Sequence, residues 1–393
     1  MNGKKWQMNL QQPLNKILIW LSFMVIFILI GCEEKVPEYV LEDSPVEFMK
    51  IDLGPESIIE DTTIEVDASL GGSYYLFIGD DENINSYALL RFSDFLDDVD
   101  ADSILSLKLV LYTSSLWTDT TQDSLPFILS VIKGEGSWGE DSTCYDNFSL
   151  EESDYERIDT VFAGSSDTIY IELEDSLYTY WRDGSNNGLA LLPLDSSEGT
   201  MITMYSSESG NTKPKLFVEY INDGDTLSHV HYCSEDISIL KFKRDFKRRG
   251  ILSLSRGLGY RTYILIGLPD SIKDSDIVAK CELKLNIDSS KTVNYGGYFS
   301  FYTAYVDTGM WLDSGELSGI SNAKLTSVGK SDSVIVVDLK QITQNVIEKK
   351  DSLRLVMWVS PYTPDVSVLS IFNAKSEFAQ LRPSVELIIM REK

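Results

Sequence analysis

Hydrophobic and polar residues alternate along most of the chain, in segments of about five to eight positions. Residues 105–112 (Leu-Ser-Leu-Lys-Leu-Val-Leu-Tyr) and 299–306 (Phe-Ser-Phe-Tyr-Thr-Ala-Tyr-Val) show the pattern clearly. A period of two is typical of strands that bury one face. Clusters rich in glycine and asparagine at 71–72, 183–188 and 296–297 separate the segments, as turns do. The pattern predicts an all-β chain of antiparallel strands, packed as sandwiches or jelly rolls.

The pattern occurs twice along the chain. Residues 76–111 align with residues 252–287 without a gap, and further matches follow in the same order with small gaps. Self-similarity of this kind indicates a repeated structural unit. We therefore expect two tandem antiparallel jelly-roll β-sandwich domains, at 61–224 and 236–393, with a linker at 225–235. One short helix is expected in each repeat, at 175–182 and at 341–350.

The first 31 residues have the composition of an export signal. Basic residues precede an uncharged apolar run at 17–30, which is short for a membrane span. The run leads into Leu29-Ile30-Gly31-Cys32, which resembles the lipobox of bacterial lipoproteins. The resemblance implies cleavage before Cys32 and attachment of acyl chains to that residue, which would anchor the protein to a membrane. A plain N-terminal membrane anchor is the alternative.

An acidic segment follows the lipidation motif. Residues 33–60 hold nine acidic and two basic side chains together with three prolines, a composition that predicts a flexible tether over 32–60. Glu33 and Glu34 are similar to the acidic residues that many surface-exposed outer-membrane lipoproteins carry after the lipidated cysteine. We therefore expect a surface-exposed lipoprotein of the bacterial outer membrane, with a periplasm-facing orientation as the alternative.

The net charge of the chain excludes one class of partner. With 61 acidic and 34 basic residues the formal charge is −27, which argues against a nucleic-acid binder. The acidity is uneven, because residues 33–225 hold 42 acidic and 9 basic side chains whereas residues 226–393 hold 19 and 22. Six of the nine residues at 241–249 are basic. We therefore expect an anionic partner to bind the second repeat. The first repeat is better suited to neutral glycans or to a ligand bridged by a cation.

Seven short motifs occur in a fixed order in the first repeat, at 87–92, 107–111, 136–138, Trp181, 186–191, 205–208 and 213–220. In this order they resemble the DNRLRE domain, a family related to the alginate-type carbohydrate-binding modules. The resemblance implies a β-jelly roll without catalytic activity and, as in some relatives, binding of polysaccharide. The second repeat departs from the pattern, because Gly267 stands where the first has Arg91. The resemblance thus extends to the fold of that repeat and not to a binding site.

Aromatic side chains are the candidate ligand-binding residues, since sugar rings pack on exposed aromatic faces. Trp117 is the first candidate, because it lies in a polar segment, 114–122, that we expect to be a loop. Tyr74, Tyr75 and Tyr205 are weaker candidates. The alternative for Trp117 is that it covers the edge of a core. Trp138 and Trp181 lie at motif positions and are predicted core residues.

Acidic residues at one predicted turn form a candidate calcium site. Asp80, Asp81 and Glu82 supply hard oxygen ligands of the kind that Ca²⁺ prefers, and a structural calcium ion is the cofactor that the sequence suggests. Their spacing does not fit an EF-hand. Turn and capping hydrogen bonds are the alternative.

Histidine and cysteine are scarce. His229, His231 and Cys233 occur at every second position, which on a strand would place three possible zinc ligands on one face. A fourth ligand is missing from this set, which weakens the zinc hypothesis. Export would also permit a disulfide between Cys144 and Cys233, although nothing in their spacing requires one.

The sequence contains no nucleophile elbow, zinc-protease helix or phosphate-binding loop. A pair of glycosidase carboxylates is the one catalytic arrangement that 61 acidic residues leave open. We therefore expect a non-catalytic surface lipoprotein that binds polysaccharide or acts as an adhesive module. The alternatives are a structural or assembly lipoprotein that docks a protein partner and, as a third hypothesis, a polysaccharide-degrading enzyme.

Overall fold

The structure, a computed structural model, describes residues 45–393 with gaps. The gaps are residues 67–69, 98, 119–122, 134–137, 144–147, 149, 185, 195–198, 247, 256, 258, 295–297, 313–316, 318–319, 321, 350 and 360–365. The export signal, Cys32 and Cys144 therefore lie outside the described residues. Among the residues that are described, no helix has both the length and the apolar character needed to cross a membrane.

The predicted all-β, antiparallel sandwich class is confirmed. Short strands occupy most of the described chain, as the period-two pattern indicates. The first half contains β1 (Val46–Leu53), β2 (Ile58–Glu65), β3 (Tyr75–Asp80), β4 (Ile84–Phe92), β5 (Ile104–Thr118), β6 (Leu125–Ile132), β7 (Tyr155–Ala163), β8 (Thr168–Leu173), helix α1 (Ser176–Arg182), β9 (Leu189–Pro193), β10 (Thr200–Tyr205), β11 (Lys215–Asn222) and β12 (Asp225–Phe242).

The second half repeats this order of elements. It contains β13 (Ile251–Ser255), β14 (Tyr260–Ile266), β15 (Ile277–Asn286), β16 (Tyr298–Tyr305), β17 (Lys324–Gly329), β18 (Val334–Asp338), helix α2 (Lys340–Lys349), β19 (Leu353–Val359), β20 (Val368–Phe372) and β21 (Ser384–Glu392). Strands β13 to β21 correspond one by one to β3 to β11, and each half has its helix between the same two strands. Helices occur close to both predicted positions, and the order of strands around them is the same in the two halves.

In the first sandwich, two long strands pass from one sheet to the other. β5 pairs with β8 and β11 through its first part and with β10 through its last part. β12 pairs with β11 up to Tyr232 and with β4 from Cys233 onward. The remaining strands follow in the order β10, β3, β4, β9, β6 and β7. Alternate side chains of both sheets, such as Leu107 and Leu109, meet in one apolar core.

The second sandwich is built in the same way. One sheet has the strand order β1, β21, β15, β18, and the other has the order β17, β16, β19, β14, β13, β20 with β2 on β14. By their contacts, residues 50–389 form one compact unit, whereas residues 45–49 belong with residues 390–393 to another. Within the larger unit the two sandwiches share apolar side chains, because Val366 of the second packs with Phe77 and Met201 of the first.

The structure differs from the expected linker and tether. Residues 225–235 belong to strand β12, which forms a hairpin with β11 through Asp223 and Gly224, both with positive φ. Residues 46–53 and 58–60, expected in the tether, also lie in strands. β2 pairs with β14 of the second sandwich, and Asp61 Oδ2 also accepts a hydrogen bond from the Ala374 amide at 2.6 Å. Each strand is held mainly through its backbone, which an acidic side-chain composition does not prevent.

Candidate functional site

Trp117 is not in a loop, and the expectation that it would be is wrong. It lies near the end of β5, where it pairs in register with Met201 of β10. Its half-buried side chain packs against an apolar cluster to which Met201, Phe77 and Val366 belong. Trp117 therefore covers the edge of a core at which the two sandwiches meet.

The three candidate tyrosines lie close to one another. Tyr75 and Tyr205 face each other across β3 and β10, with ring centroids 5.5 Å apart. Burial raises the pKa of Tyr75, which packs against the same apolar cluster as Trp117. Tyr74 is exposed at its side chain, and its carbonyl accepts the amide of Ser206. Only Tyr74 of this set offers an open aromatic surface.

The candidate calcium loop is bound to basic residues and to its own backbone. Asp80 forms an ion pair with Lys243, and Glu82 forms one with Arg244 at 2.8 Å. Asp81 is buried and accepts hydrogen bonds from the amides of Asn83 and Ile84, at 2.7 and 2.6 Å. The loop therefore has the turn and capping hydrogen bonds that were the alternative to calcium binding. Its three carboxylates do not converge on one point.

Two of the three histidine and cysteine residues, His231 and Cys233, are buried, whereas His229 is exposed. His231 is buried, and its Nε2 atom lies 3.1 Å from the Tyr178 hydroxyl oxygen. Desolvation, followed by the charge of His229, lowers its pKa to about 4. Cys233 is free and buried, and burial raises the pKa of its thiol. Packing in the first core accounts for the places of His231 and Cys233.

An aromatic surface that the sequence did not reveal lies on the outer face of the sheet formed by β8, β5, β11 and β12. Tyr170 is 69% exposed and Tyr232 is 56% exposed. Their strands place Tyr170 opposite Val110, Val110 opposite Lys215, and Lys215 opposite Tyr232 in one row. Half-exposed Tyr112 and Phe217 lie on the same face by strand alternation. We call Tyr112, Tyr170, Lys215, Phe217 and Tyr232 the tyrosine face.

Lys215 is the only cation within this set. Its Nζ lies 5.4 Å from the ring centroid of Tyr112, a distance at which a cation interacts with an aromatic face. The hydrogen bond to Tyr112 raises the pKa of Lys215, and the charges of Tyr112, Tyr232 and Tyr170 contribute further. The lysine therefore stays protonated and offers N–H donors between flat rings.

The equivalent face of the second sandwich has different chemistry. Val334 takes the place of Tyr170, and Ser384 takes the place of Lys215. Charges cover the neighbouring positions, where Glu386 lies 2.7 Å from Lys280 and 3.6 Å from Lys284. The Lys280 hydrogen bond is the main cause that lowers the pKa of Glu386 to about 2. The same fold thus carries an aromatic face in one repeat and an ion-pair network in the other.

A second feature is a cluster of three carboxylates in the first sandwich, formed by Glu140, Glu208 and Asp236. One oxygen of each lies within 4.8 Å of the others. The Ser207 amide donates to Asp236 Oδ2 at 2.5 Å, and the Ser207 hydroxyl donates to Glu208 Oε2 at 2.8 Å. Three such oxygens can ligate a hard cation or hold protons between them.

The electrostatics of the cluster favour protons on it. Asp236 is 1% exposed, and burial raises its pKa well above the ordinary value. Burial also raises the pKa of Glu140, with further contributions from Glu208 and other acids nearby. Among the residues that the structure describes, no lysine or arginine forms an ion pair with Glu208 or Asp236. Neutralisation by protons accordingly stabilises the folded state.

No protein-family model matches the chain, and no curated protein sequence is significantly similar to it.

Proposed function

We propose that the chain is a surface lipoprotein, anchored through acyl chains on Cys32, whose first sandwich binds polysaccharide without catalysis. The tyrosine face carries this proposal. It combines exposed rings, on which the CH groups of sugars pack, with a lysine and phenol hydroxyls that can bond to sugar hydroxyls. The resemblance of the first repeat to DNRLRE domains supports the same function, and the lipobox supports the anchor.

The shape of the face indicates the kind of polysaccharide. Its side chains stand on a sheet surface rather than in a cleft, so a polymer with several sugar rings laid out in one plane would contact the most rings. The half of the chain that carries it holds 42 acidic against 9 basic residues, which repels polyanions. The proposed ligand is therefore a neutral polysaccharide in an extended or ordered form.

The carboxylate cluster supports a binding function rather than hydrolysis. Glycosidases place two carboxyl groups on either side of a sugar bond, about 5 Å or more apart, with access for the substrate. Asp236 is almost completely buried, and its Oδ2 is already bonded to the Ser207 amide. Its burial leaves Asp236 without the substrate access that a glycosidase carboxyl needs.

A protein partner is the alternative occupant of the tyrosine face. Tyrosine and phenylalanine are also enriched at protein interfaces, so the face suits the assembly function considered from the sequence. The two functions differ in their ligand, because an assembly lipoprotein would retain a stoichiometric protein and show no affinity for glycans.

Retention on insoluble polysaccharides tests the proposal. The full chain, purified in detergent, is incubated with cellulose, chitin and an insoluble β-glucan, and the unbound fraction is measured. We expect depletion by at least one neutral polymer, with little change on adding salt, because ring packing is not ionic. No depletion by any polymer, together with a stoichiometric protein partner in the detergent extract, would contradict the proposal.

A further inference from the structure

The basic segment at 241–249 divides into two sets in the structure. Lys243 and Arg244 form ion pairs with the acidic loop of the first sandwich, through Asp80 and Glu82. The Lys243 amide also donates to the Asn83 carbonyl at 2.7 Å. This set attaches the start of the second repeat to the first sandwich. Arg248 is exposed and belongs to the other set.

Arg248 lines a cleft of about 290 Å³ on the second sandwich. The other residues that line it are Arg244, Asp245, Phe246, Ile251 and Lys291. Hydrogen bonds to backbone carbonyls hold the chain at two of its cations, Arg248 and Lys291. The Arg248 carbonyl accepts the Ile251 amide at 3.2 Å, and the Lys291 carbonyl accepts the Ser370 hydroxyl at 3.2 Å.

The cleft has an excess of positive charge. It holds three cations and one carboxylate, and Arg244 is already paired with Glu82. Within the described part of the chain, no acidic side chain forms an ion pair with Arg248 or Lys291. Ile251 and Phe246 add an apolar wall. A carboxylate or sulfate on a sugar ring matches this combination, since the anion bonds to the cations and the ring contacts the wall.

We propose that this cleft binds the anionic group of an acidic polysaccharide. The volume is close to the lower end of the range for ligand pockets, which suits one charged sugar unit. Residues 226–393 carry 22 basic and 19 acidic side chains, so this half does not repel an anionic chain. A flat anionic bilayer fits less well, because the net negative charge of residues 33–225 repels an extended anionic surface.

The site is separate from the tyrosine face in residues and in ligand charge. It therefore does not depend on the function proposed above, and a protein that lacks the tyrosine face would keep it.

Affinity electrophoresis of the full chain in detergent tests the cleft, with polygalacturonate, dextran sulfate or neutral dextran in the gel. The test variant is Arg248→Gln/Lys291→Gln. The control, Lys324→Gln/Lys330→Gln, makes the same change in net charge at exposed positions of the second sandwich. We expect retardation by at least one anionic polymer and none by dextran. Affinity should fall about tenfold or more in the test variant, because two charge-assisted hydrogen bonds are lost. The control should bind like the unmodified protein.

Three results would overturn the proposal. These are no retardation by either anionic polymer, equal losses in both double variants, and binding to phosphatidylglycerol vesicles that requires Arg248 and Lys291 and is tighter than binding to either polymer. Equal losses would mean that the electrostatic field of the whole protein, rather than the cleft, attracts the polymer. Vesicle binding of that kind would assign the cleft to a membrane surface.

Discussion

Replacing Tyr112, Tyr170 and Tyr232 together by alanine is expected to weaken binding to the retained neutral polysaccharide about 100-fold. Each ring that packs on a sugar contributes on the order of 1 kcal/mol, and every 1.4 kcal/mol is a factor of ten in affinity. Replacing each by phenylalanine instead should preserve most of the affinity, since the ring remains. The measurement is a depletion isotherm of the full chain on the polymer.

The matched control for this result is Tyr298→Ala. Tyr298 is 73% exposed on β16 of the second sandwich, away from the tyrosine face. We expect its binding isotherm to match that of the unmodified protein. Tyr170, Tyr232 and Tyr298 are more than half exposed and Tyr112 is half-exposed, so thermal melts should show little loss of stability in any variant. If the triple variant melts normally and still binds with full affinity, the tyrosine face is not the polysaccharide site.

The buried carboxyl of Asp236 should make stability depend on pH. Its folded-state pKa is raised, so the folded protein keeps a proton that the unfolded chain releases above about 3.9. Stability from this group is therefore present at low pH and is lost as pH rises through the interval up to the folded pKa. The loss is about 1.4 kcal/mol per pH unit within that interval. Asp236→Asn removes the ionisation, so the stability of the variant relative to the unmodified protein should rise with pH within that interval.

The comparison of the two proteins cancels titrating groups that lie outside the cluster of Glu140, Glu208 and Asp236. His231, with its pKa lowered to about 4, destabilises the fold when acid protonates it, but it does so in both proteins. Denaturant melts at pH 5 to 8 in EDTA measure the difference without a metal ion. A difference that stays constant with pH, with the Asn variant always less stable, would mean that the charged carboxylate is needed in the fold.

The sequence predicted the repeat and most strands because both depend on local periodicity. The sequence did not predict the strand at residues 225–235, because most of these residues are polar and exposed. The strand is held to β11 through its backbone. Asp223-Gly224 was the available signal, since this pair favours a tight hairpin. Trp117 was misplaced because the apolar cluster against which it packs includes a residue of the other repeat, Val366.

The sequence could not predict the candidate sites, for a related reason. Tyr112, Tyr170 and Tyr232 each resemble ordinary outward-facing strand residues, and only the pairing of four strands brings them together. The three carboxylates likewise come from separate parts of a chain with 61 acids, so no spacing distinguishes them. Sites made by long-range register leave no local motif.

Hydroxyl-radical footprinting of the full chain, with and without saturating oligosaccharide from the retained polymer, tests the central claim most directly. Mass spectrometry then reports oxidation at each tyrosine. We predict strong protection of Tyr170 and Tyr232, with Tyr298 oxidised equally in both samples. Unchanged oxidation of Tyr170 and Tyr232, with protection at Tyr74 or Trp117 instead, would contradict the assignment of the tyrosine face as the polysaccharide-binding surface.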